Sequence, residues 1–547
     1  MRQPSKIDHA LHVLLALAFL APLLIAFAGQ GGFADAFGSY ESGEPGFAAA
    51  RKAALVAATG RSLLVGILAT GMALLIGIPA GWALSEKSGG GLSRKAVLLL
   101  VVTALPLALP ASVSVSGWVG LFAPAGVASR FNVPIPGFAP ESRGWLFSEF
   151  GAALVLASSL WPIIALETWP GFRRSRNEAY EAALLYSSRG RSFLRIVLPQ
   201  VAGEIAAGAL LVFLFSSTDF SVSSLLLVRT LPTEVHDALM LGKTASAAWA
   251  SMPLLLLIGI VAWLSVRVTR DNLPQDSPRD TREMPSGLIP LSVLSAGILL
   301  GFVLPMAVCF VQAQNTNKPL SVVFGAGTEA LGSSLRIAAA VAVISIIAAI
   351  ARTVLWPETR TRPINIASLF LLAIPGSFLA AALLAIELAL SGTLNGTALA
   401  TALPAATFAA ALVIRFLYIP LRLVEEGLAA LDPDLLDAAA LAGHGRLSRA
   451  VSIALPLILP HILAASALVF IFALGEVPMS SRLAPPGLVP ATVWLFQQQH
   501  MGYDEAVFGL SLLLGGVVAG VLLLCGTAAL IILKWTDRAR APVVEGL

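Results

Sequence analysis

Twelve stretches of this chain are apolar and long enough to cross a lipid bilayer, which takes about 20 helical residues. The chain is 57% hydrophobic and only 12% charged, roughly half the charge of an average soluble domain. Because lipid offers backbone groups no hydrogen-bond partners, each stretch is expected to be a helix. The sequence therefore predicts an all-α polytopic membrane protein with spans near residues 10–28, 62–84, 97–122, 145–167, 198–218, 247–266, 288–309, 335–356, 366–390, 400–420, 456–475 and 506–533.

Two segments of the chain have nearly the same sequence. The first is EAALLYSSRGRSFLRIVLP at 181–199, and the second is DAAALAGHGRLSRAVSIALP at 437–456. They are offset by 256 residues at the acidic start and by 257 at the closing proline, so the first copy lacks one residue. The offset of 257 continues to Asp219 and Glu476. A register kept over about forty residues indicates a duplication, so the chain is predicted to consist of two homologous halves.

A charged linker separates the two predicted halves. The segment Arg267–Pro285 contains three prolines and no apolar run. It leaves six spans on each side, and an even number means that both halves enter the membrane in the same direction, as a parallel repeat. The predicted division is an N-terminal span and outer loop (1–59), a first transmembrane domain (60–268), a linker (269–287), a seventh span and outer loop (288–331), a second transmembrane domain (332–534) and a tail (535–547).

The basic residues predict the orientation in the membrane. With the N-terminus inside, the inner segments hold 25 of the 35 Lys and Arg residues, Arg415 among them, and the outer segments hold 10. This bias predicts that both termini are cytoplasmic. The first span lacks a small-residue cleavage site, so we interpret it as a retained anchor. Since no basic cluster lies on a soluble domain, nucleic acid is not an expected partner.

The repeated segments have the features of a docking loop. In the second copy, Pro433 and two aspartates suit the start of a helix, alanines continue it, and Gly443 and Gly445 end it. A short, smooth, acidic helix of this kind suits a groove on another protein, and a helix lying on the membrane surface is the alternative. The predicted docking residues are Glu178, Glu181, Ala182, Ala183 and Gly190 in the first copy, and Asp434, Asp437, Ala438, Ala439 and Gly443 in the second.

The pattern of acid-Ala-Ala, then Gly at the seventh position, then Ile-x-Leu-Pro resembles the EAA loop of permease subunits of type I ABC importers. The second copy fits it, with Asp437 at position one, Gly443 at seven and Pro456 at twenty. The first copy departs from it, because Ser187 stands at the glycine position and the nearest glycine is Gly190. Two copies in one chain look most like the fused permeases of iron(III) importers, with fused thiamine permeases a close second.

The resemblance implies the permease fold of that family and a place in the bacterial inner membrane. It also implies two partners: an ATPase dimer on the cytoplasmic face, which binds both loops, and an extracytoplasmic solute-binding protein. ATP would be bound by the partner, so no cofactor and no enzymatic activity are expected in this chain. A Gly-x-x-x-x-Gly-Lys-Ser/Thr loop is absent; Gly242-Lys243-Thr244 comes nearest, with Asp237 at the first glycine position. Iron(III) is the expected solute, and thiamine, polyamines and phosphonates are alternatives.

Acidic residues at the edges of spans are costly and therefore candidates for function. Asp219 and Glu476 match each other across the repeat, and we predict that they line the outer mouth of the pathway and favour a cation. An interfacial acid satisfied by water or by a helix end is the alternative. Pro106, Pro110 and Pro375 lie within spans, where proline can kink a helix.

Two other classes of membrane protein fit the sequence less well. A transporter driven by an ion gradient would be expected to have an inverted repeat or buried charges in mid-span. A membrane enzyme would need clustered His, Asp or Cys on its spans. The six histidines and two cysteines show no metal-ligand spacing, so no metal is expected.

Overall fold

A computed structural model describes residues 45–87, 94–123, 126–130, 144–175, 178–241, 244–270, 288–314, 325, 327–355, 362–394 and 397–540. Within these ranges the regular secondary structure is helical, without strands, which confirms the predicted all-α class. The predicted span near 10–28, most of the linker and the end of the tail lie outside the described residues.

The helices of the first half, residues 45–270, define the first repeat. They are α1 (Pro45–Lys87), α2 (Arg94–Ala108), α3 (Ala111–Phe122), α4 (Glu149–Arg174), α5 (Glu178–Tyr186), α6 (Ala202–Ser217), α7 (Ser221–Leu225), α8 (Leu231–Met240) and α9 (Thr244–Arg270). Shorter turns lie at Val127–Arg130, Trp145–Phe147, Arg189–Ser192 and Leu198–Gln200, with a π-helical turn at Phe193–Val197.

One further helical stretch precedes the second repeat. It consists of α10 (Leu288–Ile298) and α11 (Leu304–Gln314), joined by a π-helical turn at Leu299–Val303. The second repeat, residues 328–540, then contains α12 (Thr328–Leu355), α13 (Arg362–Ala373), α14 (Gly376–Leu394), α15 (Ala398–Phe416), α16 (Tyr418–Ala429), α17 (Pro433–Leu441), α18 (Leu459–Gly475), α19 (Ser480–Leu483), α20 (Ala491–Met501) and α21 (Glu505–Arg540). Short turns at Arg446–Arg449 and Leu455–Leu457 flank a π-helical turn at Ala450–Ala454.

The duplication seen in the sequence is also present in the backbone. The two repeats have the same succession of helices, except that α4 corresponds to the pair α15 and α16. The π-helical turns at Phe193–Val197 and Ala450–Ala454 are offset by the same 257 residues as the sequence. The helical segments that contain them are each bent by 74° relative to the following helix, α6 or α18. Each repeat therefore has a segment that runs across the direction of its next long helix.

The apolar helices indicate a multi-pass membrane protein. Seven helices of the described residues are long and apolar enough to cross a membrane, or up to ten if each of three bent pairs is one span. The stretch near 97–122, predicted as one span, is bent by 78° between α2 and α3 at Leu109-Pro110. A second break separates α13 from α14 at Ile374-Pro375, whereas Pro106 lies inside α2 without breaking it. Proline therefore ends a helix at two of the three predicted sites.

The two repeats exchange helices. The helix after the first proline break, α3, packs on α20 and α21 of the second repeat. Its counterpart α14 packs on α8 and α9 of the first. The stretch α10–α11 also packs against α1 to α4, and the Trp161 indole N–H donates to the Gly297 carbonyl at 3.2 Å. The largest apolar core consequently contains residues of both repeats, such as Val113 and Leu510.

Candidate functional site

The docking helix predicted in the second copy is α17. Asp432 precedes it as the N-cap and accepts a hydrogen bond from the Asp434 amide at 3.0 Å. Pro433 occupies the first helical position, where a backbone N–H would have no acceptor within the helix, so proline loses no hydrogen bond there. The cap and the acidic first turn stabilise the positive end of this short helix.

A glycine turn ends α17, as the sequence predicts. The Gly443 amide donates to the Ala440 carbonyl at 3.0 Å, and the His444 amide donates to the Ala439 carbonyl at 3.1 Å. This pair of bonds is a Schellman motif, which requires a left-handed residue after the helix. Gly443 supplies it with a φ of +87°. Gly445 is not left-handed, so Gly443 alone forms the turn.

The first copy turns by a different arrangement. The Ser187 hydroxyl donates to the Ala183 carbonyl at 3.1 Å and lies 2.5 Å from the Ser192 hydroxyl. Ser188 is extended, with φ −65° and ψ 151°. Gly190 lies within the helical turn Arg189–Ser192 and has no left-handed φ, so it does not replace the missing glycine of the EAA pattern.

The two docking helices present matched surfaces. Glu181 and Ala182 are exposed in the first copy, as are Asp434, Asp437 and Ala438 in the second. Ala183 is half-buried and Ala439 is buried, so the second alanine of each copy is less available than the first. Glu178 begins α5, which is all that the structure describes of it.

Matched leucines lie beside these residues, and the sequence analysis missed them. Leu185 is 79% exposed and Leu441 is 91% exposed, and the two are offset by 256 residues like Glu181 and Asp437. Leu194 and Val451 are likewise exposed at the 257-residue offset. The signal that could have identified the first pair is a leucine kept at the same position of both helices. Exposed apolar groups beside exposed acid are typical of a surface that a partner covers.

The proposed pathway acids occupy equivalent positions as helix caps. The Asp219 Oδ2 accepts from the Val222 and Ser223 amides at 2.9 and 3.2 Å. The Glu476 Oε2 accepts from the Met479 and Ser480 amides at 2.9 and 3.0 Å. Each carboxylate thus bonds with the start of the short helix that follows it, and neither bonds with the other.

Only one of the two acids has a basic partner. Arg415 on α15 places its Nη1 3.6 Å from the Glu476 Oε1 and 3.7 Å from the Met479 Sδ. Gly376 makes room for the pair, since a Cβ there would contact both charged side chains. Among the described residues no Lys or Arg forms an ion pair with Asp219. The residue of the first repeat that corresponds to Arg415 by the 256-residue offset is Ser159.

The position of Arg415 corrects one prediction. The predicted topology places Arg415 with the inner segments, but the residue lies in the apolar helix Leu399–Phe416, beside an acid that follows α18. Without it the bias of basic residues is 24 to 10 and keeps its direction. The pair itself is not predicted from the sequence.

The loops that follow α6 and α18 join the two repeats. The Phe220 ring lies 5.5 Å from that of Phe496, and the Ser224 hydroxyl lies 3.4 Å from the His500 Nε2. Close by, Gln499 of α20 donates to the Ser112 carbonyl at 2.8 Å and to the Ser116 hydroxyl at 2.6 Å. These aromatic and polar contacts hold the repeats together at one end of the molecule.

A buried histidine extends this contact zone. His236 belongs to α8, a helix outside the candidate spans, and its ring packs at a tilt against Phe220, with the ring centroids 4.3 Å apart. Burial, together with the positive charges of Arg482 and His500, lowers the pKa of His236 to about 4. The imidazole that packs on Phe220 is therefore neutral at neutral pH.

Neither a metal centre nor a similar protein indicates the function. In the part of the chain that the structure describes, no group of three or more His, Cys, Asp or Glu side chains is placed to hold a metal ion. No protein-family model matches the chain, and no curated protein matches it. The duplicated loops and the helices that carry them are therefore the features that bear on function.

Proposed function

We propose that the chain is the permease of an ATP-driven solute importer and that α5 and α17 are the contacts for a separate ATPase. The observation that carries the proposal is the repeated docking surface. Each short helix exposes an acid, a small alanine and a large leucine at matched positions, although the loops turn differently. An exposed leucine beside an exposed acid supports a protein partner, because covering the leucine with protein removes apolar surface from water and lowers the free energy.

The duplication supports a partner with two equivalent docking grooves. Two similar loops in one chain match a dimer, in which each subunit offers the same groove. An ATPase dimer on the cytoplasmic face fits this requirement and supplies the nucleotide site that the sequence lacks. In this proposal both termini are cytoplasmic, twelve spans form two parallel sets of six, and a solute-binding protein meets the opposite face. Reporter fusions after Leu547 and within the linker test the topology, since an outside signal at either place contradicts it.

The first experiment is purification of the chain from its native membrane, followed by assay of ATP hydrolysis and identification of the bound subunit. An ATPase subunit should be retained by the parent and lost with Asp437→Lys. The matched control is Asp237→Lys, since Asp237 is also an exposed acid and lies on α8, outside the docking loops. If the parent carries no ATPase, or if both variants lose it equally, the docking proposal is wrong.

Iron(III) is the solute that the resemblance favours, with thiamine, polyamines and phosphonates as alternatives. Uptake of labelled iron(III) into cells, in competition with each of the other solutes, tests this assignment. If iron(III) is not taken up and one of the alternatives is, the assignment passes to that solute and the ATPase proposal is unchanged.

The Arg415–Glu476 pair gives a second candidate function some support. A buried charge pair beside an apolar helix is a feature expected of a transporter driven by an ion gradient. The repeated docking surface favours the ATP-driven function, because such a transporter has no need of it. Uptake in membrane vesicles decides between them: the ATP-driven importer needs ATP and survives collapse of the proton and sodium gradients, whereas the alternative shows the opposite dependence.

A further inference from the structure

The first docking loop is fastened to the long helices by a cluster of aromatic rings. Trp82, near the end of α1, is its centre. The Trp82 ring lies 5.6 Å from Phe172 of α4, 5.8 Å from Tyr180 of α5 and 5.1 Å from Phe193 of the π-helical turn. All three pairs are edge-to-face, the arrangement that aromatic quadrupoles favour.

Burial makes this cluster a tight joint. Phe172 is fully buried, and Trp82 and Tyr180 are nearly so. Val197 and Val201, which flank the bend before α6, complete the same apolar cluster. Both halves of the docking loop therefore contact the same tryptophan, whose helix α1 belongs to the long apolar helices. A rigid, interlocked core of this kind transmits a displacement rather than absorbing it.

The second docking loop lacks this joint. The residues that correspond to Phe172, Tyr180 and Phe193 are Leu428, Leu436 and Ala450, at offsets of 256, 256 and 257 residues, so none of the three is aromatic. Helix α17 packs on the helical turn that follows it in its own loop, and the Arg449 Nη1 donates to the Leu436 carbonyl at 3.2 Å. The aliphatic cluster beneath this loop joins α12 and α16, including Leu428, to Leu455 and Ile458 at the end of the loop, without a side chain of α17.

We propose that the Trp82 cluster is the mechanical joint that couples movement of the ATPase to the long helices of the first repeat. It is the route by which a movement of the ATPase at the first docking loop reaches α1 and α4. Trp82 and Tyr180 are positioning residues in this mechanism, since they contact neither solute nor nucleotide. This inference rests on the proposed function, and it goes further by assigning unequal roles to the two loops: the second is held by its own turn, and the first is held by the long helices.

The transport test uses Trp82→Leu and Tyr180→Leu, which keep apolar bulk and remove the ring. Both variants should still bind the ATPase and hydrolyse ATP. Because each aromatic pair is worth roughly two- to tenfold, solute taken up per ATP should fall at least about tenfold in Trp82→Leu, which removes three pairs, and about two- to tenfold in Tyr180→Leu, which removes one. Tyr180→Phe, which keeps the ring, should behave like the parent. Leu436→Ala, at the equivalent position of the second loop, should leave the ratio near that of the parent.

Trp145→Leu is the control for a general effect of removing an aromatic ring. Trp145 packs edge-to-face on Phe122 at 5.0 Å in the same repeat, but away from the docking loop. An unchanged ratio of uptake to hydrolysis in Trp82→Leu and Tyr180→Leu, or an equal loss in Trp145→Leu, would overturn the inference.

Amide hydrogen exchange tests the joint even if no ATPase is found. In the purified chain, amides of α5 should exchange more slowly than those of α17, and Trp82→Leu should accelerate exchange in α5 at least about tenfold while leaving α17 unchanged. If α5 exchanges as fast as α17 in the parent chain, the aromatic joint is refuted. A slow α5 in a chain that binds no ATPase would keep the joint and contradict the proposed function alone.

Discussion

The two repeats agree in their scaffold and differ in their side-chain chemistry. Both have a π-helical turn and a 74° bend at the same offset, and both cap the helix after the long loop with a serine of the first long helix. Leu231 N–H donates to the Ser62 hydroxyl at 2.8 Å, and Ala491 N–H donates to the Ser334 hydroxyl at 2.7 Å. The ion pair at Arg415 is confined to the second repeat, and the ring cluster around Trp82 to the first. The two repeats have thus kept the same backbone geometry, whereas their charged and aromatic contacts have diverged.

The largest expected effect on stability concerns the ion pair. Arg415→Gln or Glu476→Gln alone should lower the free energy of unfolding by about 3–5 kcal/mol, because each leaves the opposite charge buried without a partner. The double variant should lose much less. Asp219→Asn, at the position matching Glu476, should change stability little, since Asn caps a helix as well as Asp does. Thermal unfolding of the purified protein measures all four, and an equal loss at Asp219 would contradict the difference between the repeats.

The next effect concerns the docking loops. Asp437→Lys and Gly443→Leu should abolish ATP-driven uptake without preventing membrane insertion. A buried charge-assisted contact that loses one partner costs about 2–5 kcal/mol, and a left-handed residue other than glycine costs about 1–2 kcal/mol. The matching changes Glu181→Lys and Ser187→Leu should reduce retention of the ATPase less, because the first loop turns without a left-handed residue. The measurement is retention of the ATPase together with uptake, and normal values in all four variants would remove the loops from the mechanism.

A smaller effect should be equal in the two repeats. Ser62→Ala and Ser334→Ala each leave a buried backbone N–H without its acceptor, which costs about 1–3 kcal/mol. Because the two hydrogen bonds have nearly the same length and burial, the two losses of unfolding free energy should agree. The unfolding midpoints of the two variants check this, and a marked difference would mean that the repeats are less equivalent than their backbones indicate.

The smallest effect concerns the solute. Replacing Asp219 with Asn and Glu476 with Gln should weaken uptake of a cation while the ATPase stays bound. Because Arg415 already neutralises Glu476, Asp219→Asn alone should account for most of the rise in KM, about 1 kcal/mol or roughly fivefold. Uptake kinetics of both single variants and the double variant test this. Unchanged kinetics in the double variant would leave the two acids with structural roles alone: helix capping for both, and the ion pair with Arg415 for Glu476.

The sequence predicts those features that depend on local pattern. Apolar length predicts the helices, and the matched letters at 181–199 and 437–456 predict two similar loops. Gly443 marks the left-handed turn because only glycine adopts that conformation freely. Pro110 and Pro375 mark the breaks, since proline removes a backbone donor and clashes with the preceding turn.

Other features depend on contacts between distant residues. Arg415 and Glu476 are separated by a whole docking loop, so their pairing follows from helix packing and not from sequence spacing. The contact between Trp82 and Tyr180 likewise requires α1 and α5 to meet. Glycine spacing in the first loop was also misleading, because hydroxyl hydrogen bonds from Ser187 replace the glycine turn there. A short side chain that can bond its own backbone is an alternative that a glycine pattern does not reveal.

The exchange of α3 and α14 between the repeats has a consequence for biosynthesis. Helix α3 emerges from the ribosome long before α20 and α21, the helices on which it packs. Helices α4, α7 and α11 can pack on α3 earlier, but its contacts with α20 and α21 stay unmade until nearly the whole chain has been synthesised. Joining the repeats in one polypeptide supplies the missing helices at a one-to-one ratio and at the high effective concentration of a tether. Fusion of the two genes would thus serve assembly, by making the second repeat the obligatory folding partner of the first.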